Sequence, residues 1–438
     1  MDERAGRLWI PSRQAGTEIP KGTRMALPRT TEVGAKPSKV STVQEIVEHA
    51  VWRKVLRSVQ EQREWLDQVQ IELTEIPAPT FQESARAQYM ARKFRELGLK
   101  HVRLDEAGNV LGEKPGKSSN VVAVTAHLDT VVPPGVPIQV QRNNGRFCAP
   151  GISDNGAGLA ALLGIVATLQ KSGIATDLSL LFLANVGEEG EGDLHGMRHF
   201  FSRREMCQRT AAVFVLDGSA IDHVTVAGLG SRRFLVEIAG PGGHSWSDFG
   251  RVNPIQALSS AIAELGRISL PSEPRTSWNV GMIHGGTAVN SIPQSAWMKV
   301  DIRSISAEEI ERLSRTLEAA VRAAVEKETK RASGGLETKI VSLGDRPVAE
   351  LPESARILQV VREVDRHLGI RSKMERSSTD ANIPLSLGIE AIATGGGGLS
   401  GDAHTLNEWY DPRGRELGLK RLLLAIFLTA GLLEEAGD

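Results

Sequence analysis

The chain has 438 residues, 41% hydrophobic and 24% charged, a composition ordinary for a globular enzyme and a length that calls for two domains. A net charge of -1 gives no reason to expect nucleic acid or an anionic membrane as a partner, and an aromatic content of 4% argues against a base- or sugar-stacking surface. Two cysteines, Cys148 and Cys207, make no disulfide framework and no C-x-x-C pair, so both are read as small apolar packing residues.

The first 41 residues carry charge but no apolar h-region, so they read as a disordered lead-in rather than a secretory signal. Either Met1 or Met25 could start the chain, and no stretch reaches the ~20 apolar residues of a membrane span. The expected location is the cytoplasm.

Residues 43–73 read as one helix with Trp52, Val55, Val59, Trp65 and Val69 on its apolar stripe, stopped by Ile76-Pro77-Ala78-Pro79. A second helix is expected from Phe81 to Leu97, with Gly98 as its stop. The continuous apolar runs Val121–Ala126, Leu178–Val186 and Ala212–Leu216 suit strands covered on both faces, and a small-residue helix runs from Gly156 to about Gln170. Strands alternating with helices predict an α/β layer with a mostly parallel sheet.

Near Gly228 the pattern changes. Arg233–Ala239, Ser277–Ile283 and Ala296–Arg303 alternate like half-exposed strands, Pro254–Ile268 and Ala307–Lys330 are amphipathic helices, and Leu336–Val341 is a last strand. The order β-α-β-β-α-β predicts a ferredoxin-like α+β unit over residues 228–344. After it the first pattern resumes with a helix Ala355–Leu368, a strand Glu390–Thr394 and a helix Arg413–Glu435. The second domain is thus expected as an insertion into a catalytic domain made of residues 42–227 and 345–438.

The polar residues with chemical potential fall at strand ends, where open α/β sheets bind ligands, or in loops. His127 and Asp129 follow the run Val121–Ala126 and share one face of an extended segment, so Asp129 could fix the tautomer of a ligating imidazole. Read singly, they are equally a loop histidine and a capping acid. Asp154 precedes the small-residue helix, as an N-cap or as a carboxylate shared by two cations. Glu188, Glu189 and Glu191 crowd three acids after a buried strand, which calls for a nearby positive charge or exposure to water. Asp217 and His404 stand at a fourth and fifth site, each with a bland reading as a turn acid and a surface histidine.

Together the five sites change the reading. Two histidines with three carboxylates form a donor set for zinc, with cobalt or manganese as alternatives. Two metals sharing one carboxylate need about this many protein ligands. Glu188 is left over beside a ligand, where a general base is required.

These motifs resemble the two-zinc metallopeptidase family of peptidase T, glutamate carboxypeptidase, acetylornithine deacetylase and carnosinase-type dipeptidases. Ile76-Pro77-Ala78-Pro79-Thr80-Phe81-Gln82-Glu83, Asp105-Glu106-Ala107-Gly108-Asn109-Val110 and Ser378-Thr379-Asp380-Ala381-Asn382 carry it too, and the pattern is most similar to peptidase T-like members. The resemblance implies that His127 and Asp217 hold one metal, Glu189 and His404 the other, and Asp154 both. It implies that Asp129 orients His127 and that Glu188 moves a proton from water to the leaving amine. It makes the insertion a lid and dimerisation domain. His244 in Gly242-Gly243-His244-Ser245 would then stabilise the oxyanion, often across a homodimer, and Asn290 and Arg303 would bind substrate. For Arg303 the plain alternative is pairing with an acid such as Asp301. Within the resemblance, Asp rather than Glu at position 217 tilts the expectation toward a peptidase and away from a deacylase of N-acyl amino acids, and the expected activity is that of an exopeptidase acting on short peptides. The contrasting class is a catalytically silent binding protein on the same fold. A nucleotide-binding reading fails, because Gly396-x-Gly398-x-x-Gly401 opens no helix and Gly116-Lys117-Ser118 lacks a glycine at position 111.

Overall fold

The computed structural model describes residues 42–433; the expected lead-in over residues 1–41 and the last five residues lie outside them. The first helical stretch is three helices, Val43–Glu48, Ala50–Glu61 and Arg63–Glu75, rather than one. Two side chains account for the breaks. His49 is extended and its ring Nδ1 accepts from Val51 N at 3.2 Å, capping the next helix. Gln62 turns inward and donates to Gly164 O and Thr168 Oγ1, so the chain bends to follow the helix Gly156–Ser172. The next helix spans Ser84–Glu96 and starts later than the apolar pattern implies, because Phe81 sits at φ +73.

Among the described residues a nine-stranded sheet forms the centre. Its spatial order is Lys100–Leu104, Val110–Lys114, Leu178–Asn185, Ser118–His127, Thr210–Leu216, Glu390–Thr394, His223–Gly228 and Ala349–Glu350, with Lys373–Ser377 also on His223–Gly228. The four middle strands, from Leu178–Asn185 to Glu390–Thr394, are mutually parallel. They are the apolar runs of the sequence, with interiors buried on both faces. Their carboxyl ends therefore lie side by side on one edge. Leu128 N donating to Asn185 O and Asp217 N donating to Thr394 O extend the register just past that edge. Lys100–Leu104, Val110–Lys114, His223–Gly228 and Lys373–Ser377 are peripheral strands that the sequence pattern does not announce, since none is a long apolar run.

The helix Gly156–Ser172 is buried nearly all round and ends at Gly173, φ +70. The final helix is Arg415–Ala430, shorter than expected, because Gly414 at φ +91 sets its start and Gly431 its end.

Residues 230–346 build a second, four-stranded antiparallel sheet. Its order is Thr276–Gly285, Ser295–Ser304, Gly230–Ala239, Glu337–Arg346, the ferredoxin-like arrangement. The helices Pro254–Leu265 and Ala307–Arg331 cover one face over a separate apolar core that includes Val236, Ile238, Leu258, Met298 and Leu317. The fold is α/β with a mostly parallel central sheet plus this α+β insertion. No described helix is long and apolar enough to cross a membrane. Both cysteines are free and half-buried.

Candidate metal centre

The edge formed by the parallel strands gathers residues that lie far apart in the chain. His127 ends one strand. Its Nδ1 donates to Asp129 O at 3.0 Å and lies 3.6 Å from Asp129 Oδ1. The ring is therefore held by the main chain of Asp129 at least as much as by its carboxylate. That leaves Nε2 facing Asp154 Oδ1 at 3.1 Å and Asp217 Oδ1 at 3.8 Å.

The buried carboxylate of Asp129 accepts from Glu188 N and Glu189 N, each at 2.9 Å, and from Thr80 Oγ1 at 2.9 Å. Its reach is thus to the neighbouring strand end. The fully buried Arg86 supplies charge to this corner and donates to Leu128 O at 2.7 Å. Burial lowers its pKa to about 10, while Asp129 and Glu83 oppose that drop.

Asp154 stands on the loop before the helix Gly156–Ser172, with a cis peptide to Asn155. A buried acid not singled out from the sequence, Glu408, holds that loop. It accepts from Gly151 N at 2.7 Å, Ser153 N at 2.8 Å, Ser153 Oγ at 2.6 Å and Asp154 N at 2.9 Å. Asn155 then stitches the loop to the next strand end, donating to Leu216 O and accepting from Gly218 N. That places Asp217 beside Asp154. On the other side, His404 Nε2 lies 3.0 Å from Asp154 Oδ2 and 3.1 Å from Glu189 Oε1.

Among the described residues, three groups of potential donors have their atoms within 4.8 Å of one another: His127, Asp154 and Asp217; Asp154, Glu189 and His404; and His127, Glu188 and Glu189. The first two share Asp154. Burial raises the Asp154 carboxyl, but His127 and His404 outweigh it and hold the group well below the usual carboxylate range. Bonds to Asp154 and Glu189 raise His404 to about 11. Burial lowers His127, but Asp129, Asp154 and Asp217 together raise it well above its ordinary range, so four carboxylates act on two imidazoles, an excess of negative charge that bound cations would offset. Asp154 Oδ1 is buried and makes no hydrogen bond, although His127 Nε2 is near. That buried oxygen has acceptor capacity left for a cation. The set of two imidazoles and three carboxylates fits two divalent ions.

Glu188 is buried next to this cluster, and burial pushes its carboxyl well above the usual range against the pull of Arg346. Arg346 and Asp380 are further residues at the site that the sequence did not single out for a role. Asp380 is fully buried, accepts from Asn185 Nδ2 at 2.7 Å, and is raised to about 7 by burial. Arg346 has no local sequence signal, since it ends a half-exposed strand, whereas Asp380 lies in the motif Ser378–Asn382, which carries the resemblance but points to no role for the acid. A cavity of ≈ 360 Å³ opens against Asp217, walled by Thr225, Thr379 and Thr394 among others.

Three expected site residues are not at the cluster within one chain. His244 is exposed in a two-stranded ribbon, where Gly243–His244 pairs with Ser291–Ile292. Its Nδ1 accepts from Trp246 N, and it has no hydrogen bond or ion pair to the ligand groups. Asn290 is exposed beside it, its carbonyl accepting from Ser245 N at 3.0 Å. Arg303 pairs with Asp301 at 2.6 Å, the plain alternative for that residue. The ribbon does bring His244 and Asn290 together.

Comparison with known proteins agrees with this architecture. The chain is 24% identical over 384 residues to the uncharacterised protein YqjE of Bacillus subtilis, covering 84% of this chain and 96% of that one. The solved structure of aminopeptidase PepT from Bacillus cereus superposes with a TM-score of 0.66 at 21% identity, covering 84% of this chain and 99% of that one. Bacillus subtilis YxeP, described as a dinuclear metal-binding peptidase, superposes with a TM-score of 0.61 at 17% identity over 85% of this chain and 99% of that one. The model of peptidase family M20/M25/M40 matches residues 123–427, more than half of the chain, and the chain belongs to that family of hydrolases.

Proposed function

We propose that this protein is a two-zinc exopeptidase that cleaves an amide bond of a short peptide. The observation that carries the reading is the shared-carboxylate arrangement: His127 and Asp217 on one side of Asp154, Glu189 and His404 on the other. Glu188 lies within the same reach of His127 and Glu189, and we assign it to the base rather than to a metal. When bound, the two ions supply polarisation of the scissile carbonyl and a lowered pKa for the attacking water. The chain's residues do the rest. Asp129 fixes the main chain of Glu188 and Glu189, so both carboxyls leave one rigid turn. A Glu188 carboxylate oxygen takes the proton of the attacking water and returns it to the leaving amine, the role of a general base turned acid.

The insertion is proposed as a lid and dimerisation domain; its last strand runs to Arg346, two residues past the expected boundary at 344, and the chain on either side of it forms the catalytic domain. Its separate core and sheet support this, as does the edge strand Thr276–Gly285, which exposes Met282 and Ile283 at 53% and 56%. In a homodimer the exposed His244 and Asn290 would serve the partner's site, His244 facing the oxyanion and Asn290 the substrate; Arg303 would bind substrate if it leaves Asp301. Sedimentation of Ile283→Glu tests the dimer: a monomer is expected, and an unchanged dimer places the interface elsewhere.

The main test is turnover of a panel of free-amine dipeptides and tripeptides against N-acyl amino acids by zinc-loaded protein, with Glu188→Gln beside it. Free peptides should be cleaved, and Glu188→Gln should keep its metal and lose activity. Faster cleavage of N-acyl substrates makes the protein a deacylase. Absence of bound metal and of any hydrolysis makes it a binding protein.

A further inference from the structure

The last strand of the insertion, Glu337–Arg346, ends on a guanidinium that is only 5% exposed. Arg346 Nη1 lies 3.2 Å from Glu188 Oε1, and Nη2 donates to Glu188 O. The same Nη1 reaches Ser378 Oγ at 3.2 Å. Among the described residues this is the one hydrogen bond to the Glu188 carboxyl.

We propose that Arg346 is the positioning residue of the Glu188 base. A buried glutamate with no other side-chain partner has several rotamers open to it. The planar guanidinium grips it at two points, carboxylate and carbonyl, so the carboxylate cannot turn without breaking a charge-assisted bond in a low-dielectric site. Lysine, a single point charge on a flexible stem, supplies the charge but not the fork.

The grip also ties the base to the insertion. The residue before Arg346, Asp345, donates its N–H to Asp193 Oδ1 at 2.9 Å, and Arg198 donates to Asp345 O. Two further contacts cross to the turn after Glu189, Arg233 to Gly190 O and Lys299 to Glu191. The open face of the second sheet is thereby fastened to the turn that carries base and ligand. Displacement of the insertion withdraws the guanidinium from Glu188, so the base is in place only while the insertion is seated.

This inference rests on Glu188 being the base, and the experiment separates the two. Arg346→Met, Arg346→Lys, Glu188→Gln and the double variant Arg346→Met/Glu188→Gln are loaded with zinc, their metal content is measured, and kcat and KM are determined on one cleaved peptide. Arg346→Met should keep its metal and lose about 100-fold in kcat, the lower end of a general base's contribution, with KM little changed. Arg346→Lys should recover part of that loss. In the Glu188→Gln background, Arg346→Met should cost nothing more, because the group it positions is gone. Wild-type kcat in Arg346→Met or in Arg346→Lys overturns the proposal. So does a loss confined to KM or metal content, or losses that multiply in the double variant. If Arg346→Met does not fold, Arg346→Lys and its cycle with Glu188→Gln decide alone. Wild-type turnover by Glu188→Gln sinks the base assignment itself, whereas an inactive Glu188→Gln beside a fully active Arg346→Met sinks only the role of Arg346.

Discussion

Asp129 gives a sharp test of how the centre is held. It is fully buried and its two oxygens meet three donors, Glu188 N, Glu189 N and Thr80 Oγ1. Asp129→Asn keeps size and shape but turns one oxygen into an amide nitrogen. Whichever way the amide turns, one of the two backbone N–H groups then faces a donor. The threonine hydroxyl can rotate and accept, so it loses little. One buried N–H left without an acceptor costs about 1–3 kcal/mol. Asp129→Ala orphans both N–H groups and should cost about twice as much. The same change weakens the support of the turn that carries Glu189, and loss of such support typically costs 10–100-fold in metal affinity. Urea unfolding of the metal-free variants reads the first effect, and competition with a chromophoric chelator reads the second. A wild-type unfolding midpoint together with wild-type zinc affinity in Asp129→Asn would show that the carboxylate does not carry this turn.

Three other perturbations probe separate parts of the frame. Glu408→Gln turns one of the two acceptor oxygens on the Gly151–Asp154 loop into a donor, so zinc affinity should fall about 10-fold or more in the same chelator assay, and an unchanged value would remove Glu408 from the site's support. Gly158→Ala would put a Cβ 2.1 Å from Asn155 Oδ1 and 2.6 Å from Leu216 O, breaking the stitch between Asp154 and Asp217. It should cost about 1–3 kcal/mol of stability from overpacking and reduce metal content, and a stable, fully loaded variant would contradict the packing seen at that turn. Tyr89 Oη donates to Glu72 at 2.6 Å, and this bond holds the Glu72 carboxyl below its usual range, with burial opposing. A depressed folded pKa stabilises above the ordinary glutamate value and is lost as pH falls through the folded one. Tyr89→Phe should therefore be less stable than the parent at neutral pH, with the gap closing in acid, and a gap independent of pH would rule that linkage out.

Much of this protein is legible in the chain because its signals are local. Val121–Ala126, Leu178–Val186 and Ala212–Leu216 are apolar on both faces, which only a covered sheet explains, and each is followed within two residues by a polar residue of the site. The alternation in Ser295–Ser304 likewise marks a half-covered sheet before any contact is known. The five expected ligand positions cluster in the fold, and His127, Asp154, Glu189 and Asp217 lie within a few residues of elements whose state their own sequence dictates; His404 lies in a turn.

Other features depend on what folds against them. The first helix breaks because Gln62 finds Gly164 O and Thr168, more than a hundred residues away. Peripheral strands such as Val110–Lys114 exist because the exposed edge of Leu178–Asn185 needed partners, a demand their own residues do not encode. Glu408 and Arg346 look like ordinary surface residues in the chain, and Asp380 like one member of a motif without a role; only burial beside the cluster gives their charges consequence. His244 and Asn290 show the reverse. Their motifs stand out in the sequence, yet one folded chain leaves them at the surface, because a ribbon on the insertion has no second sheet to bury it. Patterning along the chain decided the elements and set most of the candidate ligands beside them. Which charges are desolvated together, and so which of them matter, was decided by long-range packing alone.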